Sequence, residues 1–329
     1  MKIAFFSTAA YERDWFIRYQ GHHTITFIED LLTEQTSQLA SGHEAVCAFV
    51  EDDLSEPVLQ ALKRLGIGLV AMRCVGLDNV DLEAAETLGI TILHVPAYSP
   101  YSVAEHAVAL LMGFVRNLPL AHQRVLQGNF SIHGLTGQDL HGKTVGVIGT
   151  GHIGQAFSRI MLGFGCRLLA YDIKPAQALL NAGVEYVPLP RLLAESDVVS
   201  LHCPLTAQTN QLLNADAIAQ IKPTAIVLNS SRGGLVDTTA ILNALDRKAL
   251  GGYAADVYAD EKKWFHRDFS NKSVTDETLN RLRSHPRVLL TAHQGFLTQE
   301  ALQQIAHSLI LQISFYQNSR SEGISKVSM

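Results

Sequence analysis

Short apolar runs alternate with helically spaced segments along almost the whole chain. In the first hundred residues the apolar runs fall at 2–6, 24–28, 45–50, 68–72 and 91–94. Helical spacing fills 33–39, 57–65 and 81–88, and Gly66 and Gly89 stand where the last two should stop. Strands that alternate with helices predict a parallel sheet covered on both faces. A second series begins at residue 144, with strands expected at 144–148, 167–171, 184–187, 198–202, 225–229, 252–257 and 288–291. A helix over 301–316 closes it, and the polar tail from Gln317 is expected to fray. The pattern thus predicts an α/β protein of two doubly wound units, and leaves open which unit takes the last helix.

Between the two series the chain is punctuated by Pro96 and Pro100. Ser102 and Glu105 have the spacing of a capping box for a helix over 103–115. Val103, Ala107, Val108, Leu110, Leu111, Met112 and Phe114 leave that helix no polar face, which predicts burial between layers, domains or subunits. Pro119 ends it and opens another.

Composition narrows the classes. At 329 residues two domains are the natural expectation, and 47% apolar against 17% charged residues is a globular balance. The net charge is −5 with no basic run, which argues against nucleic acid as a partner. No apolar stretch approaches membrane-spanning length, so no membrane partner is expected. The apolar start of the chain is too short for a signal peptide and meets Glu12, Arg13 and Asp14 at once. Cys47, Cys74, Cys166 and Cys203 form no CxxC pair, so reduced, buried thiols and a cytoplasmic setting are expected. No cluster has metal-ligand spacing, and no metal is expected.

The most specific signal lies at 143–172. A β-rich run leads into Gly149, Gly151 and Gly154 in the pattern GxGxxG, then a helical segment, then a second apolar strand ending on Asp172. Gly149 permits a tight turn, Gly151 lets backbone approach a pyrophosphate, and Gly154 lets helix lie on strand. The helix start offers free N–H groups to phosphate. Asp172 can accept from both ribose hydroxyls and repels a 2′-phosphate, which favours NAD over NADP. The glycine pattern alone is weak; strand, helix, strand and terminal acid together make it specific.

A dinucleotide implies hydride transfer, and a carbonyl that receives hydride needs a proton donor and a cation. Ligands of open α/β sheets sit beyond the carboxyl ends of the strands. Few reactive side chains follow strands of the second series. Arg232 follows 225–229 and has the fork for a carboxylate. Glu261 follows 252–257, among Asp260, Lys262 and Lys263. His293 follows 288–291 and is the candidate general acid, with Glu261 on its other ring nitrogen.

This combination resembles the D-isomer-specific 2-hydroxyacid dehydrogenases. The glycine motif with Asp172 carries the resemblance, with Leu201-His202-Cys203-Pro204-Leu205-Thr206, Asn229-Ser230-Ser231-Arg232-Gly233, Asp256-Val257 with Glu261, and His293. It runs essentially end to end. The stretches Arg73-Cys74-Val75-Gly76-Leu77-Asp78-Asn79, Val95-Pro96-Ala97-Tyr98-Ser99-Pro100 and His293-Gln294-Gly295-Phe296-Leu297-Thr298 look most like the fermentative, lactate-forming branch. The resemblance implies a Rossmann-type NAD domain at 101–296 and a flavodoxin-like substrate domain at 1–100 and 297–329. It implies Arg232, Glu261 and His293 as catalytic residues. Gly149, Gly151, His152, Ile153, Gly154, Asp172, Cys203, Pro204, Asn210, Ser230, Ser231, Arg232 and Asp256 become cofactor contacts. Val75 and Gly76 would receive the substrate carboxylate, and Tyr98 and Phe296 would close a small pocket around a methyl group, beside Arg232 and His293. The long helix after Pro100 would be a crossing and subunit-interface element in a homodimer or homotetramer.

The expected reaction is NADH-dependent, reversible reduction of pyruvate to D-lactate. A bulkier 2-oxo acid is the alternative substrate, and an NAD-sensing corepressor-like protein is the alternative class. The chain departs from many relatives at Lys262, where they carry proline. A charged and aromatic loop follows, Lys263-Trp264-Phe265-His266-Arg267-Asp268-Phe269. It reads as a packed surface loop or, more sharply, a lid or anion-sensing element. His106 and His202 read as structural or as supports of neighbouring site residues rather than as catalytic groups, and Lys174 as a residue that softens exclusion of NADP.

Overall fold

The computed structural model describes residues 1–96 and 98–321. Ala97 of the proline-flanked stretch and the last residues of the tail lie outside the described residues. The chain divides into two compact units, one of Met1–Ser99 with the segment from Leu297 onward, the other of Pro100–Phe296.

The first unit has five strands: β1 (Lys2–Phe5), β2 (Thr24–Phe27), β3 (Ala45–Ala48), β4 (Leu69–Met72) and β5 (Thr91–His94). They pair in the order β2-β1-β3-β4-β5, all parallel, as the alternation predicts. β3 and β4 are buried at every residue, which is why they read as unbroken apolar runs. Helix α1 (Ala10–Tyr19) has no apolar stripe and buries only Glu12 and Phe16, so periodicity does not reveal it. Helices α2 (Glu56–Arg64) and α3 (Leu82–Thr87) fall where expected. The helix expected over 33–39 is instead a single tight turn at Thr36–Ala40. Thr33 and Thr36 compete for the backbone there, with Thr36 Oγ1 bonded to the Leu31 carbonyl and Thr33 Oγ1 to the Thr36 N–H.

The C-terminal helix, Gln299–Ser321, packs on α1, β4 and β5. It continues past Gln317, where fraying was expected, because that side chain has partners: Gln317 Oε1 accepts from the Met1 amino group and lies 3.1 Å from His22 Nε2.

The second unit has seven parallel strands: β6 (Thr144–Ile148), β7 (Arg167–Tyr171), β8 (Glu185–Tyr186), β9 (Val198–Leu201), β10 (Ile226–Asn229), β11 (Gly252–Ala255) and β12 (Val288–Leu290). Their order is β12-β11-β10-β9-β6-β7-β8, so chain direction across the sheet reverses between β9 and β6. Helix α4 (Pro100–Val115) begins at Pro100 rather than after Ser102. Proline's fixed φ suits the first helical position, and Ser102 is buried inside the first turn, so it is no cap. The apolarity of α4 is consumed within this unit. It packs on α6 (His152–Gly163) and on β10, β11 and β12, with the Phe114 ring filling the space left by Gly252. The next helix, α5 (Leu118–Leu126), buries none of its residues. Leu118, Leu120, Val125 and Leu126 are exposed there, and Phe130 and Ile132 beyond it are 77% and 84% exposed.

One buried ion pair stands out in the first unit. Arg73 Nε lies 3.0 Å from Glu12 Oε2, with side-chain exposures of 1% and 6%. Stripping one partner from such a pair leaves an uncompensated charge in a dry interior, typically a cost of about 3–5 kcal/mol. Glu12→Ala is therefore expected to lower the stability of the protein by about 3 kcal/mol in urea denaturation. A loss below about 1 kcal/mol would mean that Arg73 finds another partner at little cost.

Candidate active site

The glycine turn is built by close approach. Gly149 follows β6 with φ +92°, and a Cβ on it would run into the backbone of His202 and Cys203 at the end of β9. A Cβ on Gly154 would overlap the Gly149 carbonyl oxygen, so α6 lies directly on the turn. Gly151 differs. A Cβ there would meet nothing within 4 Å, so the protein itself does not require that glycine to be small. Gly151 is also the extended N-cap of α6 and supplies no side-chain cap. Open space in front of uncapped helix N–H groups, at the point where strand order reverses, fits the pyrophosphate of a dinucleotide. His152 is exposed and Ile153 half-buried at the mouth of this turn.

Asp172 ends the next strand, fixed by groups the pattern did not reveal. Its Oδ2 accepts from the Thr150 N–H and from Thr150 Oγ1 at 2.9 Å, and Oδ1 accepts from the Lys174 N–H at 2.9 Å. The Tyr186 hydroxyl donates to Thr150 Oγ1 at 2.9 Å. Burial would raise the carboxyl, but the donors from Lys174 and Thr150 outweigh it and hold Asp172 below its ordinary value. A charged carboxylate is thus held fixed just beyond β7, where a ribose-binding acid is expected in a fold of this kind. Lys174 serves it through the backbone, and its side chain is exposed.

Around this turn, Ser231 Oγ donates to the Cys203 carbonyl at 2.7 Å and ties the loop after β10 to the loop after β9. Burial, reinforced by Asp172, pushes the Cys203 thiol up to about 11, so it stays protonated. Ser230 is buried, while Pro204 and Asn210 are exposed. His202 is structural: its ring packs on Phe157, Nε2 lies 2.8 Å from Ser200 Oγ, and burial takes it down to about 3.

The three candidate catalytic residues come from the ends of adjacent strands β10, β11 and β12. Arg232 is half-buried, and Asn229 Nδ2 donates to its carbonyl at 2.9 Å. Gly233 packs so closely on the Tyr258–Ala259 backbone that a Cβ would overlap it, which brings this loop against the one that carries Glu261. Glu261 Oε2 accepts from the Tyr258 N–H at 2.9 Å, and Oε1 lies 2.6 Å from His293 Nδ1. Among the described residues His293 Nε2 has no protein partner.

His293 sits at φ +50°, a left-handed conformation that is uncommon for a residue other than glycine. Asp256 holds it there. The Asp256 carbonyl accepts the His293 N–H at 2.6 Å. Its carboxylate takes the N–H groups of Gln294 and Gly295 at 3.0 and 2.8 Å and the Thr291 hydroxyl, and pairs with His106 Nε2 at 3.2 Å. Burial opposes this charge, but the His106 and Thr291 hydrogen bonds outweigh it and keep the carboxyl below its ordinary value. The carboxylate that the resemblance assigns to cofactor contact is therefore largely spent on the turn that carries His293.

The loop after Glu261 is pinned to the unit. Phe265 is buried in the core, the Trp264 and Phe269 rings pack 5.3 Å apart, and His266 Nε2 lies 3.1 Å from the His293 carbonyl. That anchoring fits a packed surface loop better than a lid. Phe296 is buried, with its ring 6.4 Å from that of His266. In the other unit Val75 is exposed and Gly76 half-buried beyond β4, and Tyr98 is half-buried beyond β5. Among the described residues no acceptor meets the N–H of Val75 or Gly76.

Comparison with known proteins gives a consistent result. Residues 108–295 match the D-isomer specific 2-hydroxyacid dehydrogenase, NAD binding domain. The chain is 46% identical to D-lactate dehydrogenase of Escherichia coli K12 over 316 residues, covering 95% of this chain and 96% of that protein. A solved structure of the pyruvate reductase of Chlamydomonas reinhardtii superposes with a TM-score of 0.91 at 41% identity, covering 96% of each chain. The D-lactate dehydrogenase of Aquifex aeolicus, solved with NAD and lactic acid, superposes with a TM-score of 0.87 at 30% identity over 98% of this chain and 97% of that one.

The glycine geometry separates two variants. Gly151→Ala is expected to melt within about 2 °C of the wild type but to bind NADH on the order of tenfold more weakly in a fluorescence titration. Gly154→Ala is expected to lose stability outright. Unchanged NADH affinity in Gly151→Ala would move the pyrophosphate away from this turn.

Proposed function

This chain belongs to the D-isomer-specific 2-hydroxyacid dehydrogenases, and from that premise we propose that it reduces pyruvate to D-lactate with NADH, reversibly. The observation that carries the proposal is the 2.6 Å contact between His293 Nδ1 and Glu261, which leaves Nε2 to face a substrate. Bound NADH supplies the hydride, delivered to C2 of the 2-oxo acid. In this reading Arg232 grips the substrate carboxylate with its planar fork and orients the carbonyl. His293 holds a proton at Nε2 and gives it to the substrate oxygen as negative charge develops there. Glu261 accepts the Nδ1–H bond, fixes the tautomer and stabilises the imidazolium until that transfer. In lactate oxidation the same nitrogen takes the proton back.

The Val75 and Gly76 N–H groups meet no acceptor among the described residues, which supports a role in carboxylate binding. Phe296 is assigned to the pocket around the methyl group. The names of the E. coli and Chlamydomonas relatives support lactate and pyruvate over a bulkier acid. The paired Glu261 and His293 favour an enzyme over a purely NAD-sensing protein. The exposed apolar residues of α5, with Phe130 and Ile132, support assembly with a second copy of the chain as a homodimer or homotetramer. Four buried cysteines, none in a disulfide among the described residues, support a reducing, cytoplasmic setting.

In an assay with a panel of small 2-oxo acids, pyruvate is expected to drive NADH oxidation with far higher kcat/KM than oxaloacetate, and chiral chromatography is expected to return D-lactate. No absorbance change with pyruvate, or an L product, would refute the proposal.

A further inference from the structure

The first unit contains a buried charged cluster that the proposed chemistry does not use. Arg73 directly follows β4 and immediately precedes the Cys74–Val75–Gly76 turn. Its side chain runs back beneath the neighbouring loops. Nε and Nη2 meet the two Glu12 oxygens at 3.0 and 3.2 Å, and Nη2 also donates to the Ser7 carbonyl at 3.1 Å. The Phe5 and Phe49 rings lie 4.1 and 5.1 Å from the guanidinium carbon. One side chain thus joins the ends of β1 and β3 and the first turn of α1 to the segment after β4. Ser7 takes a left-handed φ of +51° at the point where its carbonyl is used.

The same loops are tied a second time. Fully buried Asp52 accepts from Ser7 Oγ and the Leu32 N–H on Oδ1 and from the Phe49 N–H on Oδ2. Asn79 Nδ2 donates to the Phe49 and Asp52 carbonyls at 3.0 and 2.8 Å. The segment 74–78 is therefore anchored at one end by Arg73 and at the other by Asn79. Within it, Cys74 Sγ closes on the Gly76 carbonyl at 3.1 Å. This turn stands beyond the carboxyl end of β4, one strand away from the reversal of strand order between β1 and β3. Open parallel sheets bind ligands at such a place.

We propose that Arg73 is a positioning residue for substrate. It fixes the turn so that the N–H groups of Val75 and Gly76 converge on the carboxylate of the 2-oxo acid. The proposal rests on the 2-oxo acid reading above. The role is geometric. The guanidinium charge is engaged by Glu12, with the Asp52 carboxyl in the same cluster, so no free positive charge remains to attract an anion. A fork held by four groups restricts direction, which an apolar side chain of equal volume would not do.

Arg73→Lys keeps the charge and loses the fork. It is expected to raise the KM for pyruvate on the order of tenfold, with kcat within about threefold and NADH affinity within about twofold of wild type. Glu12→Gln shifts KM in the same direction, and it decides the matter if Arg73→Lys does not fold. Leu62→Ala, a fully buried change in α2 of the same unit, controls for lost stability. It is expected to lower the melting temperature and leave KM unchanged. A folded Arg73→Lys with KM within twofold of wild type overturns the proposal. So does a fall confined to kcat, or a Leu62→Ala protein whose KM rises equally. A wild-type protein that reduces no 2-oxo acid overturns instead the reading on which the proposal rests.

Discussion

The geometry of the second unit's site depends on one buried carboxylate. Asp256 accepts hydrogen bonds from three groups of the segment 291–295, and its own carbonyl takes the His293 N–H. Hydrogen bonds to a buried charge are each worth about 1.5–3 kcal/mol, and a left-handed non-glycine residue costs about 1–3 kcal/mol. The bonds therefore outweigh the strain, and His293 can hold a direction that its backbone would not choose alone. That direction brings Nδ1 to Glu261. Removing Asp256 would release the strain and the imidazole together. His106 extends this dependence to α4, the helix that packs across β10, β11 and β12.

A division of labour follows from sheet order. The point where strand order reverses, between β9 and β6, is occupied by glycines whose missing side chains admit backbone and ligand. The proposed acid, its partner and the proposed carboxylate anchor follow the three strands at one edge of the same sheet. In the proposed mechanism, cofactor binding and proton transfer therefore rest on separate strands of one layer. The first unit repeats the logic with different means. There a buried guanidinium, rather than a glycine, sets the loops at the carboxyl ends of the strands.

The two parallel sheets were legible because their central strands, β3, β4, β9, β10 and β11, are buried at every residue and read as continuous apolar runs. Gly149, Gly154 and Asp172 were legible because each has a steric or charge requirement that few residues meet. The supports were not. Glu12 reads as a surface charge on a polar helix, since its partner Arg73 lies 61 residues away. Thr150 and Tyr186 carry no pattern that announces a bond to Asp172. Ser102 had the spacing of a cap but lies inside the helix, because Pro100 starts it two residues earlier. Local sequence reports local requirements, and these contacts exist only once distant loops have met.

The central claim is that His293 is the proton donor and that Glu261 holds its ring through Nδ1. The most direct test is single-turnover pyruvate reduction in Glu261→Gln beside the wild type, with NADH affinity measured on the same proteins. The variant is predicted to reduce pyruvate on the order of a hundredfold more slowly while NADH affinity stays within about twofold. A single-turnover rate within about twofold of wild type, from a variant that still binds NADH, would contradict the account.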